Sequence, residues 1–137
     1  MSQPTVRGWR EDDLGGIARL YYETVRTVNA RDYTPEQIAA WAPQIEADVY
    51  WRRRFATRRA FVAELGGALA GFCELEPPGH VDCFYAHHAF QGRGVGTAMM
   101  RSLAEAAAAL GAARLDADVS VTARAFFERQ GFVIVRE

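Results

Sequence analysis

The sequence predicts an α+β (mixed α/β) fold: one mixed sheet, antiparallel over its N-terminal strands, with a parallel pair around one helix and helices on both faces. Three observations lead there. Short strand-like runs stand at the start, in the middle and near the end of the chain. Apolar stripes of helical period separate them, and a glycine-rich turn, Gln91 to Gly96, joins a strand directly to a helix. A strand followed by a helix and another strand lays its two strands parallel, whereas two-residue turns leave neighbours antiparallel.

Thr5 to Trp9 is rich in strand formers, and the acidic run after it, Arg10-Glu11-Asp12-Asp13, suits the start of a helix. Leu14, Ile17, Ala18, Tyr21, Val25 and Val28 then recur at three- and four-residue spacing and form that helix's core face. Thr34-Pro35-Glu36-Gln37 carries a cap, a first-turn proline and the glutamine of a capping box, so a short helix begins there and ends after Trp41, before Pro43. Ile45 to Phe55 resumes helical character, and Arg52-Arg53-Arg54 near its end reads as a solvated face. Ala60 to Leu65 and Ala68 to Glu76 flank Gly66-Gly67, a hairpin signal, and Pro77-Pro78-Gly79 turns the chain into a third strand, His80 to Ala86. Val95 to Leu110 is the helix after the glycines, with Val95, Met99, Leu103, Ala106, Ala107 and Leu110 on one side and Gly111 at its end. Leu115 to Val119 reads as a strand, Thr122 to Gln130 as a helix stopped by Gly131, and Phe132 to Arg136 as a final strand.

With 137 residues, half of them hydrophobic and about a quarter charged, the chain is expected to form a single domain over residues 1–137. The 16 basic residues, all arginine, nearly balance 17 acidic ones, so no global field draws it to nucleic acid or a membrane surface. Cys73 and Cys83 lie in apolar runs and read as small buried hydrophobes of a cytoplasmic protein. No apolar run approaches the length of a membrane span.

The turn at Gln91 to Gly96 places free backbone N–H groups at the positive end of a helix dipole, which makes it an anion site. Glycine at 92, 94 and 96 lets a diphosphate approach the main chain, with Arg93 and Thr97 as added donors. A dinucleotide fingerprint would need a third glycine where Thr97 stands and a much longer chain beyond it, although Asp116 lies about 20 residues on as that motif asks. A Walker loop needs a lysine, and the chain has none.

Gln91-Gly92-Arg93-Gly94-Val95-Gly96, with a strand before it and a helix after, resembles the Gln/Arg-x-x-Gly-x-Gly/Ala signature of the GNAT N-acetyltransferase superfamily. Phe126-Phe127-Glu128-Arg129-Gln130-Gly131-Phe132 is similar to the same superfamily's second landmark, and Tyr33-Thr34-Pro35-Glu36-Gln37-Ile38 with Trp41 resembles one bacterial subgroup. The resemblance implies an N-acetyltransferase that uses acetyl-CoA as cosubstrate and acetylates a primary amine of a small molecule or peptide. It implies a pyrophosphate site over Gln91, Gly92, Arg93, Gly94, Val95, Gly96 and Thr97, and a pantetheine arm laid along Phe84, Tyr85 and Ala86 as an added strand. A backbone N–H there would hold the thioester oxygen. Ser120, Phe126, Phe127 and Arg129 are implied to flank the coenzyme, and Tyr21, Tyr22, Arg26, Tyr33 and Trp41 to wall the acceptor site.

Two departures stand out. Relatives use a tyrosine acid where this chain has Phe127, so Tyr85 or Tyr33 is expected to help the thiolate leave, which a thiol pKa of about 8.5 already eases. Asp82, alternating with Phe84 and Ala86, is expected to face the groove as the base, with Glu74 on the neighbouring strand as the fallback. Each also has a plainer reading: Asp82 solvated or paired with arginine, Tyr85 as cross-strand packing, Tyr33 as packing where a helix begins. His80, His87 and His88 match no zinc spacing, so no metal is expected. The second departure is that the family's usual last strand is missing after Phe132 to Arg136, and a homodimer is one way of covering the edge this leaves. The rival functions are a non-catalytic acyl-CoA-binding module, which Phe127 and the missing strand favour, and a nucleotide-binding oxidoreductase, which NAD binding would mark.

Overall fold

The structure, a computed structural model, describes residues 3–135. Five strands form one sheet in chain order: β1 (Thr5–Gly8), β2 (Arg59–Leu65), β3 (Ala68–Glu76), β4 (His80–Ala86) and β5 (Asp116–Ala117). The first four are antiparallel and β5 runs parallel to β4, as the crossover through the helix after the glycines requires. The helices are α1 (Leu14–Thr27), α2 (Pro35–Trp41), α3 (Asp48–Phe55), α4 (Val95–Ala109) and α5 (Arg124–Arg129).

Local chemistry sets most of these boundaries. Gly66 and Gly67 take φ of +61° and +83°, the left-handed pair that a two-residue hairpin needs. The capping box closes α2 as its residues dictate, with Gln37 N–H donating to Thr34 Oγ1 at 3.2 Å and Thr34 N–H to Gln37 Oε1 at 2.8 Å. Two apolar layers then clamp the sheet. Cys73, Leu75 and Val81 meet Val95, Met99 and Leu103 of α4 on one face. Val62 and Phe72 meet Leu14 and Ile17 of α1 and Trp51 and Phe55 of α3 on the other. Each large side chain so buried contributes about 1.5–3 kcal/mol. Gly71 belongs to the first layer because a Cβ there would come 2.8 Å from the Tyr85 carbonyl oxygen and 2.9 Å from Val95 Cγ1.

The sheet departs from the expected pattern at one place that matters for the site. Cys73 faces Phe84 and Leu75 faces Val81, so two steps along β3 are matched by three along β4. This is a β-bulge at Asp82–Cys83, and it turns both side chains to the α3 face. Asp82 Oδ2 lies 3.0 Å from Arg54 Nη2 and 3.0 Å from Arg58 Nη2, and Cys83 Sγ accepts from Arg54 Nη2 at 3.3 Å. Val81 and Phe84, on either side of the bulge, pack on the α4 face. Strict alternation would have put Asp82 beside Phe84, and the extra residue cancels it.

Other expectations are corrected too. The helix expected from Ile45 begins at Asp48, and Arg54 at its end is not solvated but turned inward onto Glu74. The strand expected over Leu115 to Val119 contracts to Asp116–Ala117. Residues 132–135 form no strand, and Arg136 lies outside the described residues. Among the described residues the apolar run there pairs with no strand, and Val133 and Val135 are 80% and 88% exposed. Both cysteines are free and buried, as their apolar surroundings indicated.

At the root of the parallel pair, His80 Nδ1 bonds to Asp116 Oδ1. The bond to Asp116 raises the imidazole pKa above its ordinary value. A pKa raised in the fold contributes stability below the unfolded value of about 6.5 and loses it as pH climbs through the folded value. His80→Asn should therefore reduce stability at pH 5.5 and have little effect at pH 8.5. The difference should stay under about 1 kcal/mol because the pair is partly exposed. Urea midpoints at the two pH values measure this, and equal losses at both would reject it.

Candidate functional site

β4 and β5 are paired only at His80 with Asp116 and Val81 with Ala117. Beyond those residues the two strands part, and the gap opens into a cleft of about 460 Å³. One wall is the free edge of β4, the opposite wall is the loop around Ser120 with the start of α5, and the glycine-rich turn closes one end.

The β4 edge offers main-chain groups in a definite order. His87 N–H donates to Ala70 O at 2.8 Å across to β3. Strand backbone alternates its hydrogen-bonding direction residue by residue, so Tyr85 also points its N–H and C=O at β3, while Phe84 and Ala86 point theirs at the cleft. The close approach of the Tyr85 carbonyl to Gly71 agrees with this. Ala86 O is taken by Gln91 Nε2 at 2.7 Å, which ties the glycine turn to the strand end. Phe84 therefore keeps both of its main-chain groups for an incoming chain.

At the closed end, Gly92 and Gly94 adopt φ of +74° and +84°, and Gly94 caps α4 in the left-handed conformation. The first intrahelical bond runs from Ala98 N to Gly94 O at 3.1 Å, so the amides of Val95, Gly96 and Thr97 have no helical partner. Three N–H groups and the positive helix end thus converge on the cleft. Gly96 has a second use: a Cβ there would come 2.9 Å from the Phe126 ring.

Phe84, Tyr85, Ala86, Gln91, Gly92, Gly94, Val95, Gly96, Thr97, Ser120, Phe126 and Arg129 all line the cleft. Arg93 is exposed on the turn outside the lining. Phe127 is 4% exposed and packs edge-on against Phe84 and Phe132, inside the core rather than in the cleft. The reason is helical phase: Phe126 and Phe127 are neighbours about 100° apart, so only one of them can face the opening.

Sequence reasoning missed Thr24 and Asn29, which bring the C-terminal end of α1 to the same cleft. Both are buried, and the Thr24 hydroxyl has no partner. Polar residues standing in the apolar stripe, three and four places after Tyr21 and Val25, were the available signal.

The residues implied for the acceptor gather beside the cleft. Tyr21, Tyr22, Tyr33, Trp41 and Tyr85 pack around Val25, Ile38 and Ala42. Tyr33 meets Trp41 edge-on at 5.3 Å, and its hydroxyl accepts from Val121 N–H at 2.7 Å, between the cleft residues Ser120 and Thr122. Arg26 lies over the Tyr22 ring at 4.7 Å and donates two bonds to Ala42 O, so it joins α1 to the end of α2. Burial pushes the Tyr85 phenol well above its ordinary pKa and the Tyr21 phenol up to about 12, which leaves both as proton donors at neutral pH.

Asp82 and Glu74 line no part of the cleft and are held by the arginines of and after α3. Glu74 is 0% exposed, with Arg54 Nε donating to its two oxygens at 2.8 and 2.6 Å and Arg58 Nε 3.3 Å from Oε1. Burial raises its pKa and the bond from Arg54 opposes the rise. Glu74, Asp82 and Cys83 bring ligand-type atoms within 4.8 Å of one another, and the two guanidinium groups already supply the positive charge a cation would bring.

Known proteins share this architecture. A family model described as an acetyltransferase (GNAT) domain matches residues 29–137. The uncharacterised N-acetyltransferase YafP of Escherichia coli K12 is 27% identical over 137 residues, covering 100% of this chain and 86% of YafP. A GCN5-related N-acetyltransferase crystal structure from Rhodopseudomonas palustris superposes with a TM-score of 0.93 at 32% identity, over 99% of this chain and 85% of that one. The protein yncA of Salmonella typhimurium, solved with its cofactor acetyl-CoA, shares the fold at a TM-score of 0.68 and 21% identity, over 98% and 82% of the two chains.

Proposed function

Since the chain belongs to the GNAT acetyltransferase family, we propose that it moves an acetyl group from acetyl-CoA to a primary amine of a small molecule or peptide by direct attack. The observation that supports this is the free β4 edge, which ends in a turn of unpartnered amides. An extended arm bearing amides fits beside Phe84 and Ala86 as one more strand, and a diphosphate fits at the N-terminus of α4. We read the whole chain as one such domain, in the cytoplasm. None of its described helices is long and apolar enough to cross a membrane.

In this reading the amine nitrogen attacks the thioester carbon, and the Phe84 N–H stabilises the oxygen as it takes negative charge. The carbon–sulfur bond then breaks, the sulfur takes a proton from Tyr33, Tyr85 or water, and the nitrogen loses one to water. Asp82 is assigned no proton transfer, because its carboxylate is held between two arginines and lines no part of the cleft. Tyr22, Tyr33 and Trp41 are the proposed acceptor wall, next to the cleft at Thr24 and Asn29.

Acetyl-CoA with a panel of primary amines should release free thiol faster than acetyl-CoA alone. A second reading, a non-catalytic acyl-CoA-binding module, is favoured by one observation: the described cleft residues include neither a carboxylate nor an imidazole. Tight CoA binding with no amine-dependent thiol release across the panel would select it. No CoA binding at all would remove both.

A further inference from the structure

We propose that Arg54 and Arg58 are positioning residues for the acyl group, acting through Asp82, Cys83 and Glu74 to hold the β4 bulge that sets the Phe84 N–H against the cleft. This rests on the reading of the cleft as an acetyl-CoA site. In the β3–β4 register, Glu74 has no Cα partner, and neither do Asp82 and Cys83 across from it. A bulge leaves its own residues unpaired, so something other than the ladder must fix them. Here all three side chains turn to α3, where Arg54 meets each of them and Arg58 meets the two carboxylates. Arg54 reaches Glu74, Asp82 and Cys83, and Arg58 reaches Glu74, Asp82 and Glu76.

A buried ion cluster is a poor device for stability alone, since desolvation offsets most of the attraction. It is a good device for a unique geometry, because each contact is directional and a slipped register would leave Glu74 buried without a cation. Losing the bulge while Val81 stays opposite Leu75 would slip the strand beyond it by one residue and exchange the directions of Phe84 and Tyr85, and with them the amide that faces the thioester. The network lies behind the strand, and none of its residues lines the cleft.

Infrared difference spectra of the protein with acetyl-CoA carrying carbon-13 at its carbonyl test this without knowledge of the acceptor. In the wild type the bound carbonyl stretch should fall below that of free acetyl-CoA. Asp82→Asn and Arg58→Met should each lose about half of that fall or more while keeping CoA affinity within about threefold, a difference too small to reflect a rebuilt site. Arg58→Lys, which keeps the charge, should restore most of it. Near-ultraviolet circular dichroism checks that each variant is folded, and Asp82→Asn preserves size and lies at a partly exposed position. A wild-type-sized fall in both folded variants overturns the proposal, as does a wild type that binds acetyl-CoA with no fall. A wild type that does not bind acetyl-CoA overturns the cleft assignment itself.

Discussion

Arg54→Met is expected to lower folding stability by about 3–5 kcal/mol, the range for removing one partner from a buried ion pair. Glu74 is completely buried, and Arg54 makes both of its short contacts, at 2.6 and 2.8 Å. Without that guanidinium the carboxylate must be neutralised in place or drag the strand open. The pH dependence has a definite sign. Burial already raises the Glu74 pKa above its ordinary value, and loss of Arg54 raises it further. A carboxylate with a raised folded pKa favours the fold when protonated, so the deficit of the variant should shrink as pH falls toward the carboxylate range. Arg54→Met with Glu74→Leu should recover much of the loss, because both buried charges leave together. Urea titrations of the three proteins at two pH values measure these effects. A single variant within about 1 kcal/mol of wild type, the ordinary size of an exposed pair, would show that the cluster is solvated.

The second large effect concerns the glycine turn. Gly94→Val should weaken CoA binding by about 5- to 150-fold, which corresponds to 1–3 kcal/mol of backbone strain. Gly94 holds φ of +84°, where a β-branched residue is a severe outlier. The free variant relieves that strain by moving the turn, and CoA must restore it in order to meet the amides of Val95, Gly96 and Thr97. The remainder of α4 is anchored by Met99 and Leu103 in the core, so the fold should persist. Calorimetry against CoA gives the ratio directly. An affinity within twofold of wild type would place the diphosphate elsewhere.

How much of this was legible depended on the distance along the chain over which each feature is decided. The hairpin at Gly66-Gly67, the capping box at Thr34 and the turn before α4 are written in residues that touch their immediate neighbours, and they appear in the structure where they were expected. The cleft lining followed from the same turn, since a strand that enters it and a helix that leaves it place Phe84 to Thr97 together. Asp82 was misplaced because a bulge is a relation between two strands, invisible in either one alone. Arg54 was read as solvated because its partner is 20 residues away in sequence. Phe127 was placed at the coenzyme by resemblance, while the packing of α5 against Phe84 turned it into the core.

From its sequence alone, then, the chain determined its order of elements, its mixed sheet and the amides without helical partners at the head of α4, because backbone dihedrals and amphipathic periods answer to nearby residues. Only the tertiary structure decided which face carries each carboxylate, which main-chain groups of β4 remain free and that Thr24 and Asn29 reach the cleft. Those outcomes depend on cross-strand register and on contacts between segments tens of residues apart, where the lowest free energy belongs to the assembled whole and to no single segment.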